Sequence, residues 1–189
     1  MVSEARPALP LQFDSERLVL RCPRGGDGDL LHASVMETLA DLRRHPASSP
    51  WAMQEQSVEF SEQRCVAAAQ AFLAREAFPF LVFDKRDGQH VGNVGLHSLD
   101  WTVPHAHIGY WCRSSRQGQG FITEAVQAVC EFGFSCLKLR RVQLMAEEGN
   151  PASWRVAERA GFMLEGCLRH QVLQADGQPG AARVYGLIR

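Results

Sequence analysis

The segment Gln117-Gly118-Gln119-Gly120-Phe121-Ile122 constrains the fold of this chain more than any other. Ahead of it lies an apolar run, Ile108-Gly109-Tyr110-Trp111-Cys112, that reads as a buried strand. Behind it Ile122, Ala125, Val126, Val129, Gly133 and Cys136 recur at three- and four-residue steps, the spacing of one apolar helix face. A glycine-containing turn between a strand and a helix leaves backbone N–H groups unpaired at the positive end of the helix. Such a corner suits a phosphate or diphosphate, although an isolated match is more often a plain strand-to-helix turn. The surrounding sequence separates the two readings.

A chain of 189 residues is long enough for one domain with a full core and short for two, so a single domain over residues 1–189 is expected. The formal net charge of −1 gives no overall pull toward nucleic acid or an anionic membrane. No apolar run approaches the roughly 20 residues of a membrane-spanning helix. Met1 to Pro10 carries acidic and proline residues where an export signal would need an apolar core, which points to the cytoplasm. Cys22, Cys65, Cys112, Cys130, Cys136 and Cys167 are scattered without a Cys-x-x-Cys pair and read as free thiols in a reducing compartment.

Along the chain, Arg17-Leu18-Val19-Leu20-Arg21 alternates as a strand. Asp27-Gly28-Asp29 offers cap chemistry for a helix to about Arg44, and Ser57 for a second helix carrying Phe60, Cys65, Val66, Ala69, Phe72 and Leu73. Residues 78–83, 90–99 and 105–112 read as three strands with short links, an antiparallel meander. After the helix that follows Gly120, Arg141 to Ala146 reads as a strand, and a strand–helix–strand crossover makes that pair parallel. Asn150-Pro151 opens another helix, with asparagine at the cap, proline at the first position and Gly161 just past the end. Phe162 to Val172 and Arg183 to Ile188 close the sheet, and its apolar edge would support a homodimer. The expected class is mixed α+β, with residues 11–76 forming one side and 78–189 the core.

On a helix beginning at Asn150, Ser153 lies one turn on and close to the Asn150 side chain. Taken together, the two motifs resemble those of the GNAT superfamily of N-acetyltransferases, and within it the RimJ/RimL group that acetylates N-terminal amines of ribosomal proteins. The resemblance rests on Arg17 to Arg21, Ile108 to Trp111, Gln117 to Gly120, Asn150-Pro151-Ala152-Ser153 and Gly161 to Leu168, which occur in the family's order across nearly the whole chain. It implies a mostly antiparallel twisted sheet, with helices on both faces and a central parallel pair splayed where acetyl-CoA binds. A phosphate-loop nucleoside triphosphatase lacks support, because no Gly-Lys-Ser/Thr follows the turn; a dinucleotide fingerprint lacks its third glycine.

The same resemblance implies site residues. The amides of Gln117, Gly118, Gln119, Gly120, Phe121 and Ile122 would hold the diphosphate of acetyl-CoA. Tyr110, Trp111 and Cys112 would flank the pantetheine arm, Asn150 would hydrogen-bond it, and Ser153 would stand near the thioester sulfur. Acyl transfer to an amine also needs a proton acceptor, a positioned thioester and a donor for the oxyanion. His107 shares a strand face with His105 and stands where relatives often carry a glutamate, so it is a candidate base; the alternative is a half-exposed strand histidine. Glu147, Glu148, Glu165 and a water relay stay open as alternatives. No third ligand accompanies the histidines, so no metal is expected. Trp51, Met53, His97 and Trp101 are candidates for the acceptor pocket, each with core or rim packing as the alternative. The expected partners are acetyl-CoA and a primary amine, with a ribosomal protein N-terminus first and an aminoglycoside or polyamine next. A CoA-binding sensor without turnover is the alternative from another class.

Overall fold

The computed structural model describes residues 8–189. Of the N-terminal stretch Met1 to Pro10, only Ala8, Leu9 and Pro10 fall inside it; the rest of that expectation lies outside the described residues. Among the described residues eight strands form one sheet: β1 (Gln12–Asp14), β2 (Leu18–Arg21), β3 (Phe78–Asp84), β4 (His90–Asp100), β5 (His105–Cys112), β6 (Arg141–Glu147), β7 (Met163–Leu173) and β8 (Pro179–Ile188). Their spatial order is β1-β2-β3-β4-β5-β6-β8-β7. Every neighbouring pair is antiparallel except β5 and β6, which are parallel as the crossover between them requires. β1 is an addition to the sequence reading: three residues carry no periodicity that would reveal it.

Among the described residues four α-helices cover the sheet: α1 (Gly28–Arg43), α2 (Val58–Ala74), α3 (Phe121–Ser135) and α4 (Pro151–Arg159). Strand alternation sorts the core into two layers. Phe78, Phe80 and Val82 of β3 join the larger cluster with Val126, Val129 and Phe132 of α3 and Ala157 of α4. Leu81 points the other way, into a cluster with Leu31, Val35 and Leu42 of α1 and Cys65 of α2. The mixed class with helices on both faces is therefore the observed one.

Local chemistry explains the helix starts. Ser57 Oγ accepts the N–H of Phe60, and Asn150 Oδ1 accepts that of Ser153, as cap residues do. Asp27 departs from the expected cap. Its carboxylate is taken by the Arg21 guanidinium, at 2.6 and 2.7 Å, and by the Arg24 N–H at 2.9 Å, so it ties β2 to the start of α1 instead. On α2, Cys65 and Phe72 are buried as expected, but Val66 and Leu73 face solvent. The last strand in sequence, β8, lies inside the sheet between β6 and β7, which leaves β7 as the edge opposite β1. All six cysteines are free. Cys167 is exposed on β7. Among the described residues no helix is long and apolar enough to cross a membrane.

Candidate active site

The parallel pairing of β5 and β6 runs only from His105↔Arg141 to Ile108↔Leu144. β5 then continues to Cys112 beside β4, and β6 to Glu147 beside β8, so a gap opens in the middle of the sheet. Backbone groups alternate in direction along a strand. The N–H of Arg113 donates to Val91 O of β4 at 2.8 Å, which puts Trp111 toward β4 as well. Tyr110 and Cys112 therefore present their N–H and C=O groups to the gap. Such exposed edge groups can pair with an extended amide-containing ligand as a strand would.

The glycine turn closes one end of this gap. Gly118 (φ +73) and Gly120 (φ +77) adopt the left-handed conformation that glycine reaches without strain. Among the described residues, the N–H groups of Gly118, Gln119, Gly120, Phe121 and Ile122 donate to no protein acceptor. Arg17 braces the turn from behind. Its Nη1 donates to Gln119 O at 3.0 Å, and its Nε to Glu124 Oε2 at 2.6 Å. Because a peptide's C=O and N–H point in opposite directions, holding the Gln119 carbonyl on the Arg17 side turns the Gly120 N–H away from it. α1 braces the other flank: Ser114 Oγ donates to Asp41 Oδ2 at 2.8 Å, and Ser115 N–H to Glu37 Oε1 at 2.8 Å. Hydrogen bonds from Ser115, reinforced by Arg113, hold the Glu37 carboxyl down to about 2.

At the far side of the gap the Tyr110 hydroxyl donates to Ser153 O at 2.9 Å and lies 3.0 Å from Ser153 Oγ. Tyr110 spends its one proton on that carbonyl, so the Ser153 hydroxyl is the donor between the two oxygens. Burial raises the Tyr110 phenol well above its usual range and keeps it neutral; burial also pushes the Cys112 thiol up to about 12. Asn150 uses Oδ1 for the helix cap, and among the described residues no group takes its NH2, so capping and ligand binding are compatible roles for one side chain.

A cleft of about 460 Å³ unites these groups. Of the residues expected from the sequence, Tyr110, Trp111, Cys112, Gln117, Gly118, Gly120, Phe121, Ile122, Asn150 and Ser153 line it. Gln119 does not; its carbonyl is the one Arg17 holds. His107 also lies elsewhere: it pairs with Gln143 before the gap opens, and its ring sits 5.8 Å from that of His97. Burial, then the neighbouring His105 and Arg141, lowers its pKa. Trp51 packs against Trp111 with ring centroids 6.3 Å apart, while Trp101 and Met53 are exposed. Among the described residues no group of three or more His, Cys, Asp or Glu is placed to hold a metal ion. A second hollow, about 420 Å³ between Phe13 and α3, lies away from all of these groups.

The cleft also recruits residues that the sequence reading missed. Arg155 and Arg159, one turn apart on α4, line it with no carboxylate in ion-pair range among the described residues. The i, i+4 spacing on a helix just after the asparagine motif was the available signal. His45, Ser48 and Ser49, from the loop after α1, also line it. That loop was legible only as proline- and serine-rich.

Residues 17–163 match the family model described as an acetyltransferase (GNAT) domain. A putative ribosomal N-acetyltransferase of Bacillus subtilis is 41% identical over 103 residues, covering 54% of this chain and 56% of the relative. A ribosomal-protein-serine acetyltransferase of Escherichia coli is 37% identical over 90 residues, covering 48% and 49%. The chain thus spans about half the length of these curated relatives. Among solved structures, a RimL ribosomal alpha-N-protein acetyltransferase in complex with coenzyme A superposes with a TM-score of 0.84 at 25% identity, over 95% of this chain and 97% of that one.

Proposed function

This chain belongs to the GNAT acetyltransferase family, and from that premise we propose that it transfers the acetyl group of acetyl-CoA directly to a primary amine. The acceptor in this reading is a protein N-terminal α-amino group of the ribosomal-protein type, met in the cytoplasm. The observation that carries the proposal is the convergence, in one cleft, of the unpaired amides after Gly118, the open edge of β5 and the Tyr110–Ser153 pair. The names of the Bacillus and Escherichia relatives support the choice of acceptor.

Bound in this cleft, acetyl-CoA supplies an activated acyl carbon and a thiolate leaving group. The N–H groups of Gly118 to Ile122 hold its diphosphate at the start of α3, where the helix dipole favours negative charge. Arg155 and Arg159 add fixed positive charge on the opposite wall. The N–H groups of Tyr110 and Cys112 and the NH2 of Asn150 orient the amides of the arm. The same N–H row stabilises the oxyanion that forms at the acyl carbonyl. Ser153 gives its hydroxyl proton to the departing sulfur. Neutral Tyr110, beside it, holds that hydroxyl in place.

Turnover with acetyl-CoA and a panel of amines tests the reading: N-terminal peptides of ribosomal proteins, polyamines and aminoglycosides. Acetylated peptide is the expected product. Product only from polyamines or aminoglycosides would move the acceptor class, and CoA binding without transfer to any amine would favour a sensor. Ser153→Ala is expected to lower kcat about tenfold or more while leaving acetyl-CoA affinity within about twofold; an unchanged kcat would remove Ser153 from the chemistry. A homodimer through the edge strand β7, where Met163, Leu164, Leu168 and Leu173 are exposed, belongs to the same reading. Sedimentation at micromolar concentration is expected to give twice the chain mass, and a monomer there would exclude it.

A further inference from the structure

The buried carboxylate of Glu147, with only 6% of its surface exposed, has no lysine or arginine partner among the described residues. Its Oε2 lies 2.9 Å from His45 Nδ1, and its Oε1 3.5 Å from Ser48 Oγ. The position is particular. Leu144↔Ile108 is the last bonded pair of β5 and β6, so three residues further along, Glu147 and Trp111 stand on opposite banks of the gap. Val142, Leu144 and Ala146 bury toward α3, and strand alternation therefore sends Glu147 to the α1 face, where the loop after α1 delivers His45. His45 lines the active-site cleft; Glu147 stands behind it.

We infer that His45 is the proton acceptor for the attacking amine and that Glu147 is the positioning residue that aims it. The inference rests on the acetyl-transfer reading above. A carboxylate can only accept, so the imidazole hydrogen sits on Nδ1, and Nε2 keeps its lone pair for the cleft. A carboxylate holding one ring nitrogen so that the other can act is a recurrent arrangement for a general base. In the reaction, the substrate ammonium loses one proton to His45 Nε2. The freed nitrogen lone pair forms the C–N bond, and the carbonyl π pair moves to oxygen. When that pair returns, the C–S bond breaks with its electrons on sulfur. The thiolate takes the Ser153 proton, the second amine proton makes Ser153 good, and His45 releases its own proton to solvent through the cleft. The charged groups on the cleft walls around His45 are Asp41 of α1, Arg44 just past its end, Arg116 after β5, and Arg155 and Arg159 of α4.

The experiment compares wild type, His45→Ala, Glu147→Gln and His107→Ala, each first shown folded by circular dichroism and by acetyl-CoA binding. Wild type must acetylate an amine; no turnover there overturns the functional reading and this role with it. Given wild-type turnover, His45→Ala is expected to lose about a hundredfold in kcat at pH 7 with acetyl-CoA affinity unchanged, and to recover in part with added imidazole. Glu147→Gln is expected to lose about tenfold and to displace the acidic limb of the kcat–pH profile, which loss of packing alone would not do. A His45→Ala enzyme with full activity, or a loss confined to His107→Ala, returns the base role to β5 and sinks the inference. So does a Glu147→Gln profile that falls uniformly at every pH.

Discussion

Replacing Gly120 with glutamate is expected to weaken acetyl-CoA binding about a thousandfold while the chain still folds. The backbone there has φ +77, so any side chain carries a left-handed strain of about 1–2 kcal/mol, tolerable for a domain of ordinary stability. Space is not the obstacle: a Cβ at this position has Arg17 Nη2 at 3.5 Å, an ordinary contact. Charge is the obstacle. A carboxylate about 4 Å from a diphosphate oxygen costs roughly 4 kcal/mol at an effective dielectric constant near 20, which is about a thousandfold in affinity. Arg17 offsets only part of it, because its Nε is held by Glu124 and its Nη1 by the Gln119 carbonyl, which leaves Nη2 alone to meet the new carboxylate. Gly120→Asn, which accepts the left-handed conformation and adds no charge, should bind within about tenfold of wild type. Calorimetric titration reads both variants. Glutamate-substituted protein with wild-type affinity would mean that the diphosphate does not sit on this turn.

The second large effect is expected at Gly92, on β4, a residue that touches no ligand. Its φ is +153, and a Cβ there would run into the carbonyl oxygen of Trp111 and come within 3.0 Å of Cys112 Cα. Both obstacles are backbone, so no side chain can swing aside. Gly92→Ala should therefore destabilise the fold by about 2–4 kcal/mol and push β5 out of line where it borders the gap. Gly95→Ala provides the comparison. Its Cβ would meet Pro79 Cα at 2.9 Å, on the β3 side, so it should cost stability and yet leave acetyl-CoA affinity of the folded protein nearly intact. Chemical denaturation with parallel binding measurements distinguishes the two. Equal affinity in both variants would show that β5 geometry at Trp111 does not govern the site.

Local pattern revealed the elements that local chemistry builds. Ser57 and Asn150 cap helices because their side chains reach an N–H three residues on, an interaction contained in a few residues. The meander of β3, β4 and β5 and the parallel crossover to β6 follow from strand length and linker length alone. β1 escaped notice because its three residues find their meaning only in contact: Phe13 stacks on Phe132, over a hundred positions away, at 5.4 Å. Asp27 misled for a related reason, since a cap and an ion pair demand the same residue type, and only the placement of Arg21 chooses between them.

The sequence by itself determined the glycine turn, the asparagine–serine motif and the strand between them, because each is a short segment whose backbone conformation is set by its own residues. Tertiary structure decided which side chains gather around the cleft. His107, chosen from its strand position, stays on the paired part of β5, whereas His45, in a loop with no motif, is carried to the cleft by the end of α1 and locked there by Glu147. The physical reason is that a loop side chain is placed in the cleft by contacts distant in sequence: the carboxylate that holds His45 lies 102 positions away.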